Sequence, residues 1–235
     1  MMRSRRIQYF ESEGRENLPS VIKYVKNYLK TFRLPTGDLL PGRPNKIVCM
    51  TFRGEGPMLA YHQLFKEDVT IVAVLFPSTY RVVSKDSITY SELPDKVRKF
   101  FDGVGIRVIR TRLPFDEITG ADAHNKEMTA LKRTLAVFGG SVPLAIQAVL
   151  QATDSGEVMS GEQVIAFTSD TALVVTASTT KDFLSQSSGL LVNEILCKPK
   201  KFTIIRPTPK LIEALPNLTA PKPALVIEGR KPGDS

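Results

Sequence analysis

Seven consecutive residues, Thr51, Phe52, Arg53, Gly54, Glu55, Gly56 and Pro57, join an apolar run at 47–52 to a segment with helical patterning at 58–65. Gly54 and Gly56 permit backbone conformations closed to other residues, so neighbouring N–H groups can converge on an anion. A helix starting near Pro57 adds free backbone donors and the positive end of its dipole. Arg53 has the planar fork that clamps a phosphate through two hydrogen bonds. Glu55 puts negative charge into the same loop and Pro57 removes one donor, so the residues also fit a plain strand-to-helix turn with a solvated Arg and Glu. Neither the Walker nor the dinucleotide-binding glycine fingerprint occurs in the chain.

Other residues with chemistry to offer are scattered. Gly14, Arg15, Glu16 and Asn17 precede an amphipathic segment, where Asn17 suits a helix cap and Arg15 could reach a phosphate. Asp154 and Gly156 follow an apolar helical stretch, and Asp170 and Thr171 stand between two apolar runs; all four are good turn formers. Asp116, Glu117, Asp122 and His124 share a polar loop, in which His124 could act as a general acid or base or simply be solvated. His62, beside Tyr61 and Gln63, reads as structural. With two distant histidines and no Cys/His cluster, no zinc site is expected. Cys49 and Cys197 lie in apolar runs without CxxC spacing, the pattern of reduced, buried thiols in a cytoplasmic protein.

These residues must be positioned by a scaffold that the apolar periodicity outlines. Segment 17–31 carries Val21, Ile22, Val25, Tyr28 and Leu29 at helical spacing. Strands are expected at 7–10, 47–52, 70–76, 106–111, 163–168 and 172–178, with weaker candidates at 190–197 and 202–206. Helices are expected at 58–65, 92–104, 126–138 and 142–152, the last apolar almost all round and therefore buried. Residues 76–91 have no clean period and read as a long connection. Runs such as 70–76, apolar at successive positions, indicate a sheet covered on both faces. Only three residues separate the strands at 163–168 and 172–178, too few for a parallel crossover, so these two must be antiparallel neighbours. The expected architecture is α/β: a three-layer α/β/α arrangement of a mostly parallel sheet with one antiparallel strand. It occupies residues 1–206, and a basic, Pro-rich tail with at most a short helix at 210–215 occupies 207–235.

Composition permits such a core. The 235 residues are 42% hydrophobic and 24% charged, with 12 Phe and 6 Tyr, ordinary values for a globular chain. No apolar run reaches the ~18–20 residues that span a bilayer, and no apolar stretch follows the basic N-terminus, so neither membrane insertion nor a secretory signal is expected. The net charge of +8 is carried at the ends: +3 by the first six residues and +5 by residues 198–235, which leaves 7–197 neutral. A nucleic-acid groove lined with Lys and Arg is therefore not indicated.

In the order KIVCMTFRGEGPMLAYHQLFKEDVTIVAVLF, strand, short loop, helix and strand, the chain resembles the C-terminal (alpha/beta) domain of pyruvate kinase. There a comparable loop receives a phosphate of a sugar-phosphate effector. The chain is more closely similar to a family of stand-alone archaeal and bacterial proteins with that fold, mostly of unassigned function. The marks of that family are matched by Gly14, Arg15, Glu16 and Asn17, by Gly54 and Glu55, by Asp154, Ser155 and Gly156, and by Asp170, Thr171 and Ala172, in this order over about 7–199. It departs from the pattern where no glycine precedes Asp170 and where Gly56 and Pro57 replace loop hydroxyls. The resemblance implies a phosphorylated ligand such as flavin mononucleotide (FMN), held by the loop at 51–56 with Arg15, Glu16, Asn17, Asp170 and Thr171, and a possible homo-oligomer. It implies no particular reaction, since pyruvate kinase's own chemistry belongs to another domain.

Three functions fit. The first is a module binding a nucleotide-like or sugar phosphate in a sensing or regulatory role. The second is a flavin-dependent enzyme, in which the protein supplies orientation and electrostatics to the cofactor. The third is an interaction scaffold using its basic ends on an anionic partner.

Overall fold

The computed structural model describes residues 6–83, 88–116 and 126–203. In chain order these form β1 (Gln8–Ser12), α1 (Leu18–Lys30), β2 (Lys46–Thr51), α2 (Glu55–Leu64), β3 (Thr70–Leu75), β4 (Arg81–Val83), β5 (Ile88–Tyr90), α3 (Asp95–Val104), β6 (Arg107–Arg110), α4 (Lys126–Ala136), α5 (Val142–Asp154), β7 (Gln163–Phe167), β8 (Ala172–Thr176) and β9 (Leu191–Lys201). Seven strands make one sheet in the order β1-β9-β8-β7-β2-β3-β6. All pairings are parallel except those of β8, which runs antiparallel to both β7 and β9. The tail at 207–235, the short helix at 210–215 and the residues Glu117, Asp122 and His124 lie outside the described residues.

The period of two along each strand sorts the core into two layers. Ile47, Cys49, Ile71, Ala73, Leu75, Ile165 and Phe167 face one side, where Val21, Ile22, Val25 and Leu29 of α1, Ala60 and Leu64 of α2, and Val97 and Phe101 of α3 cover them. Val48, Met50, Val72, Val74, Val164 and Ala166 face the other side, under Ala145, Ile146, Val149 and Leu150 of α5. Helix α4 lies over α5 through Met128, Leu131 and Leu135. The result is an α/β/α sandwich with a mostly parallel sheet. Burial on both faces is why these strands are apolar at successive positions.

Four local expectations are corrected. Asn17 makes no side-chain cap; it has helical φ and ψ of −76° and −16°, and its Nδ2 donates to the Ser12 carbonyl at 2.9 Å. A 3-10 turn at Arg15–Asn17 runs straight into α1, so residue 17 is already helical and its amide ties the turn back to β1. Helix α2 begins at Glu55, with Gly54 as its N-cap, so Gly56 and Pro57 lie inside its first turn. The connection at 76–91 contains the antiparallel hairpin β4–β5, with Arg81 opposite Tyr90 and Val83 opposite Ile88. The strand candidate at 190–197 is the first part of the eleven-residue β9, which runs on to Lys201; of the candidate at 202–206, Phe202 and Thr203 leave the sheet and 204–206 lie outside the described residues.

Among the described residues no helix is long and apolar enough to cross a membrane.

Candidate functional site

The parallel strands deliver their following loops to one edge of the sheet, where ligands of open α/β sheets collect. That carboxyl edge carries the turns after β1, β2, β3 and β7. The turn after β2 is tight. Thr51 is buried at the end of the strand, and its Oγ1 accepts from the Gly54 amide at 3.0 Å. The Arg53 amide donates to the Glu55 carboxylate at 3.3 Å. Two donors expected to meet an anion are therefore satisfied within the turn. Gly54 has φ 96°, and a Cβ there would lie 2.7 Å from Val97 Cγ1 and 2.8 Å from Leu93 Cδ1. A Cβ on Gly56 would lie 2.7 Å from Cys49 Sγ. The glycines let the chain press against α3 and the strand beneath, a packing role rather than a ligand-facing one.

What the turn projects outward is Arg53, exposed, beside Phe52. Phe52 begins an aromatic row: its ring centroid is 6.1 Å from that of Phe76, which stacks with Tyr80 at 4.8 Å and an interplanar angle of 27°. Tyr80 is exposed, while Phe52 and Phe76 are half-buried. Ser91, 1% exposed, binds the ends of β2 and β3 together, its Oγ within 3.3 Å of the Phe52 carbonyl and 3.2 Å of the Phe76 carbonyl. The Ser91 amide donates to the Tyr80 carbonyl at 2.9 Å, so the returning hairpin holds the row in place. Ser91 gave no signal in the sequence, because its partners are backbone carbonyls of distant strands.

The structure brings the Gly14 and Asp170 segments together. The amide of Gly14 donates to Asp170 Oδ2 at 3.2 Å, and Thr171 Oγ1 lies 3.1 Å from Asp170 Oδ1. Asp170 and Thr171 are buried, so the carboxylate acts as an internal tie between the turn after β1 and the turn after β7. Arg15 and Glu16 remain exposed at that turn. Among the described residues, neither Arg15 nor Arg53 forms an ion pair. Asp154 is placed elsewhere. It receives Thr180 N at 2.9 Å and pairs with Thr180 Oγ1 at 2.5 Å, and since Thr180 follows the antiparallel β8, this contact belongs to the amino edge.

His62 stacks on Phe100 at 5.6 Å, a surface packing contact. Among the described residues no group of three His, Cys, Asp or Glu side chains is placed to hold a metal. The thiols are buried and free. Burial pushes the Cys49 thiol well above its ordinary value. Burial also raises Cys197 to about 12, against the lowering effect of a hydrogen bond from the Ala172 backbone. Thiolate is the reactive form, so neither cysteine should react with a thiol reagent at pH 8 in the native protein, and both should react in denaturant. The raised values also carry a pH sign. The folded state keeps its protons where an unfolded thiol, of pKa ~8.5, loses them. The associated stability is fully present below that value and should fall as pH rises through 9 and 10, measurable by urea unfolding at each pH. A flat profile, or rapid native labelling, would show the thiols to be accessible.

No protein-family model matches the chain, and no curated protein matches it.

Proposed function

We propose that the chain is a binding module for a phosphorylated small molecule, held at the carboxyl edge of the sheet in a sensing or regulatory role. The observation that carries this reading is the aromatic row Phe52, Phe76 and Tyr80 next in the chain to the exposed Arg53, which forms no ion pair among the described residues. A flat ring system can stack on the exposed ring of Tyr80, and a phosphate can be met by the Arg53 guanidinium. Both features together favour flavin mononucleotide over a sugar phosphate, because a sugar offers no ring to stack. Arg15 stands on the same edge, four strands away from Arg53, in the turn that the buried Asp170 holds in place. Membership of the pyruvate kinase C-terminal-like family and a cytoplasmic location belong to the same proposal.

A flavin-dependent enzyme is the second reading, favoured by the same aromatic row. The two are separated by whether bound flavin turns over with a reductant.

The test is native mass spectrometry of the purified protein, followed by titration with FMN read by flavin fluorescence. A retained or saturably bound flavin is expected. Arg53→Glu should weaken it roughly tenfold to a hundredfold, the range of a lost charge-assisted hydrogen bond, with unfolding unchanged. A ligand-free mass together with no thermal shift from FMN or a hexose phosphate would remove the reading.

A further inference from the structure

Strand β1 closes one side of the sheet and, among the described residues, pairs with β9 alone. Just past its end, the Glu13 amide donates to the Lys201 carbonyl at 3.1 Å. The backbone of Glu11 and Tyr9 therefore turns toward β9, and that of Gln8, Phe10 and Ser12 turns outward. The Ser12 carbonyl accepts from Asn17 Nδ2. Gln8 and Phe10 have no backbone partner on the outer side among the described residues.

Free strand edges are commonly blunted by charge. The opposite edge strand, β6, shows this, since Arg107 and Arg110 bracket Val108 and Ile109. On β1 the exposed face is apolar at its centre, with Ile7 38% and Tyr9 49% exposed. Apolar surface continues past α4. Tyr9 stands opposite Lys198 in the register, Lys198 Nζ donates to the Phe138 carbonyl at 2.6 Å, and Phe138 is 56% exposed.

Charge selects what can lie against this edge. The alternate positions Arg3, Arg5, Ile7, Tyr9, Glu11 and Glu13 place cations before the strand and acids after it. A second copy laid antiparallel meets opposite charge at both ends, whereas a parallel copy meets like charge. A two-fold axis perpendicular to the sheet at Gln8 sets Ile7 opposite Tyr9, Arg5 opposite Glu11 and Arg3 opposite Glu13. The same axis brings the outward backbone of Arg6, Gln8 and Phe10 to Phe10, Gln8 and Arg6 of the other copy, the arrangement in which facing residues exchange both N–H···O bonds. An axis one residue later, at Tyr9, calls on Ser12, whose carbonyl is already taken, and sets Ile7 against Glu11. Glu11 lies 3.0 Å from Lys200 but keeps its side chain 81% exposed, open to a second cation.

We propose that two copies of this chain join through β1, antiparallel about a two-fold axis at Gln8, so that their sheets become one. The interface is the same patch on both copies, as a two-fold requires. It is independent of the flavin reading, since β1 lies four strands from the strand that carries the turn at Arg53.

The test is sedimentation velocity of the full chain over a wide range of concentration, beside four variants. A dimer is expected for the native sequence. Gln8→Pro removes an N–H that points out of the sheet and none that β9 uses, a change edge strands tolerate. It should leave the circular dichroism unchanged and yield a monomer. Glu11→Lys and Arg5→Glu should each weaken the dimer by about tenfold or more, because the axis repeats every change. Arg5→Glu/Glu11→Lys should restore it, which residues acting only within one copy would not do. If Gln8→Pro does not fold, the charge exchange decides alone. A native chain that stays monomeric at every concentration, its edge taken by its own C-terminal residues or by another protein, would overturn the proposal. So would a dimer that Gln8→Pro and both charge variants leave intact, or one that the charge exchange fails to recover.

Discussion

Gly54→Ala should destabilise the protein by about 3 kcal/mol, moving the urea midpoint down with the slope unchanged. Two effects add. The residue holds φ 96° and ψ 4°, a left-handed conformation that costs an L-residue roughly 1–2 kcal/mol. The new methyl would also meet Val97 Cγ1 at 2.7 Å, Leu93 Cδ1 at 2.8 Å and Phe101 Cζ at 3.1 Å. All three are buried, so overpacking of about 1–3 kcal/mol follows. Gly103 makes the internal control. It lies in α3, where an added methyl would have nothing within 4 Å, and it has no positive φ, so Gly103→Ala should stabilise by roughly 0.5–1 kcal/mol. A neutral Gly54→Ala would mean that the turn does not press on α3.

Arg43→Ala should cost about 3–5 kcal/mol, the range for leaving one charge of a buried pair uncompensated. Burial already holds the Arg43 guanidinium below its ordinary value; Glu67 opposes that shift and Arg33 adds to it. Among the described residues, removing Arg43 leaves Arg33 as the one cation within 4 Å of the buried Glu67 carboxylate, at 3.7 Å, and strips the donors from the Glu67 and Asp68 carbonyls. Much of the loss should return in Arg43→Ala/Glu67→Gln, because the neutral amide needs no counter-charge. Urea unfolding of the two single variants and the double variant closes the cycle. A coupling near zero would show that Arg43 acts through packing alone.

Elements whose burial follows a simple period were legible from the residues. Helix α1 buries Val21, Ile22, Val25, Tyr28 and Leu29, the same five that its spacing selects. Helix α5 is buried on nearly every side, as its all-round apolar composition requires. The antiparallel β8 follows from the three residues that separate it from β7. The elements that escaped notice are those that tertiary pairing creates. Hairpin β4–β5 has only three facing pairs, too few for alternation to stand out. The end of β9 runs through Lys198, Pro199, Lys200 and Lys201, where lysines and a residue without an N–H argue against a strand. It is a strand because β1 pairs along it, Phe10 opposite Pro199.

The candidate site divides in the same way. Thr51, Arg53, Gly54 and Glu55 could be placed between a strand and a helix from their neighbours alone, and so could the left-handed conformation that a glycine at 54 permits. Whether that glycine faces a ligand or a helix could not, because Leu93, Val97 and Phe101 approach it from a separate part of the chain. The Gly14–Asp170 tie spans 156 residues, and the buried Arg43–Glu67 pair joins positions 24 apart in the chain. Residue order alone therefore settled which side chains are buried and in which layer, since apolar spacing is a local property that solvent reads directly. Folding in three dimensions decided which turns share an edge and which charges are buried together, since strand order sets those distances and no short-range pattern encodes it.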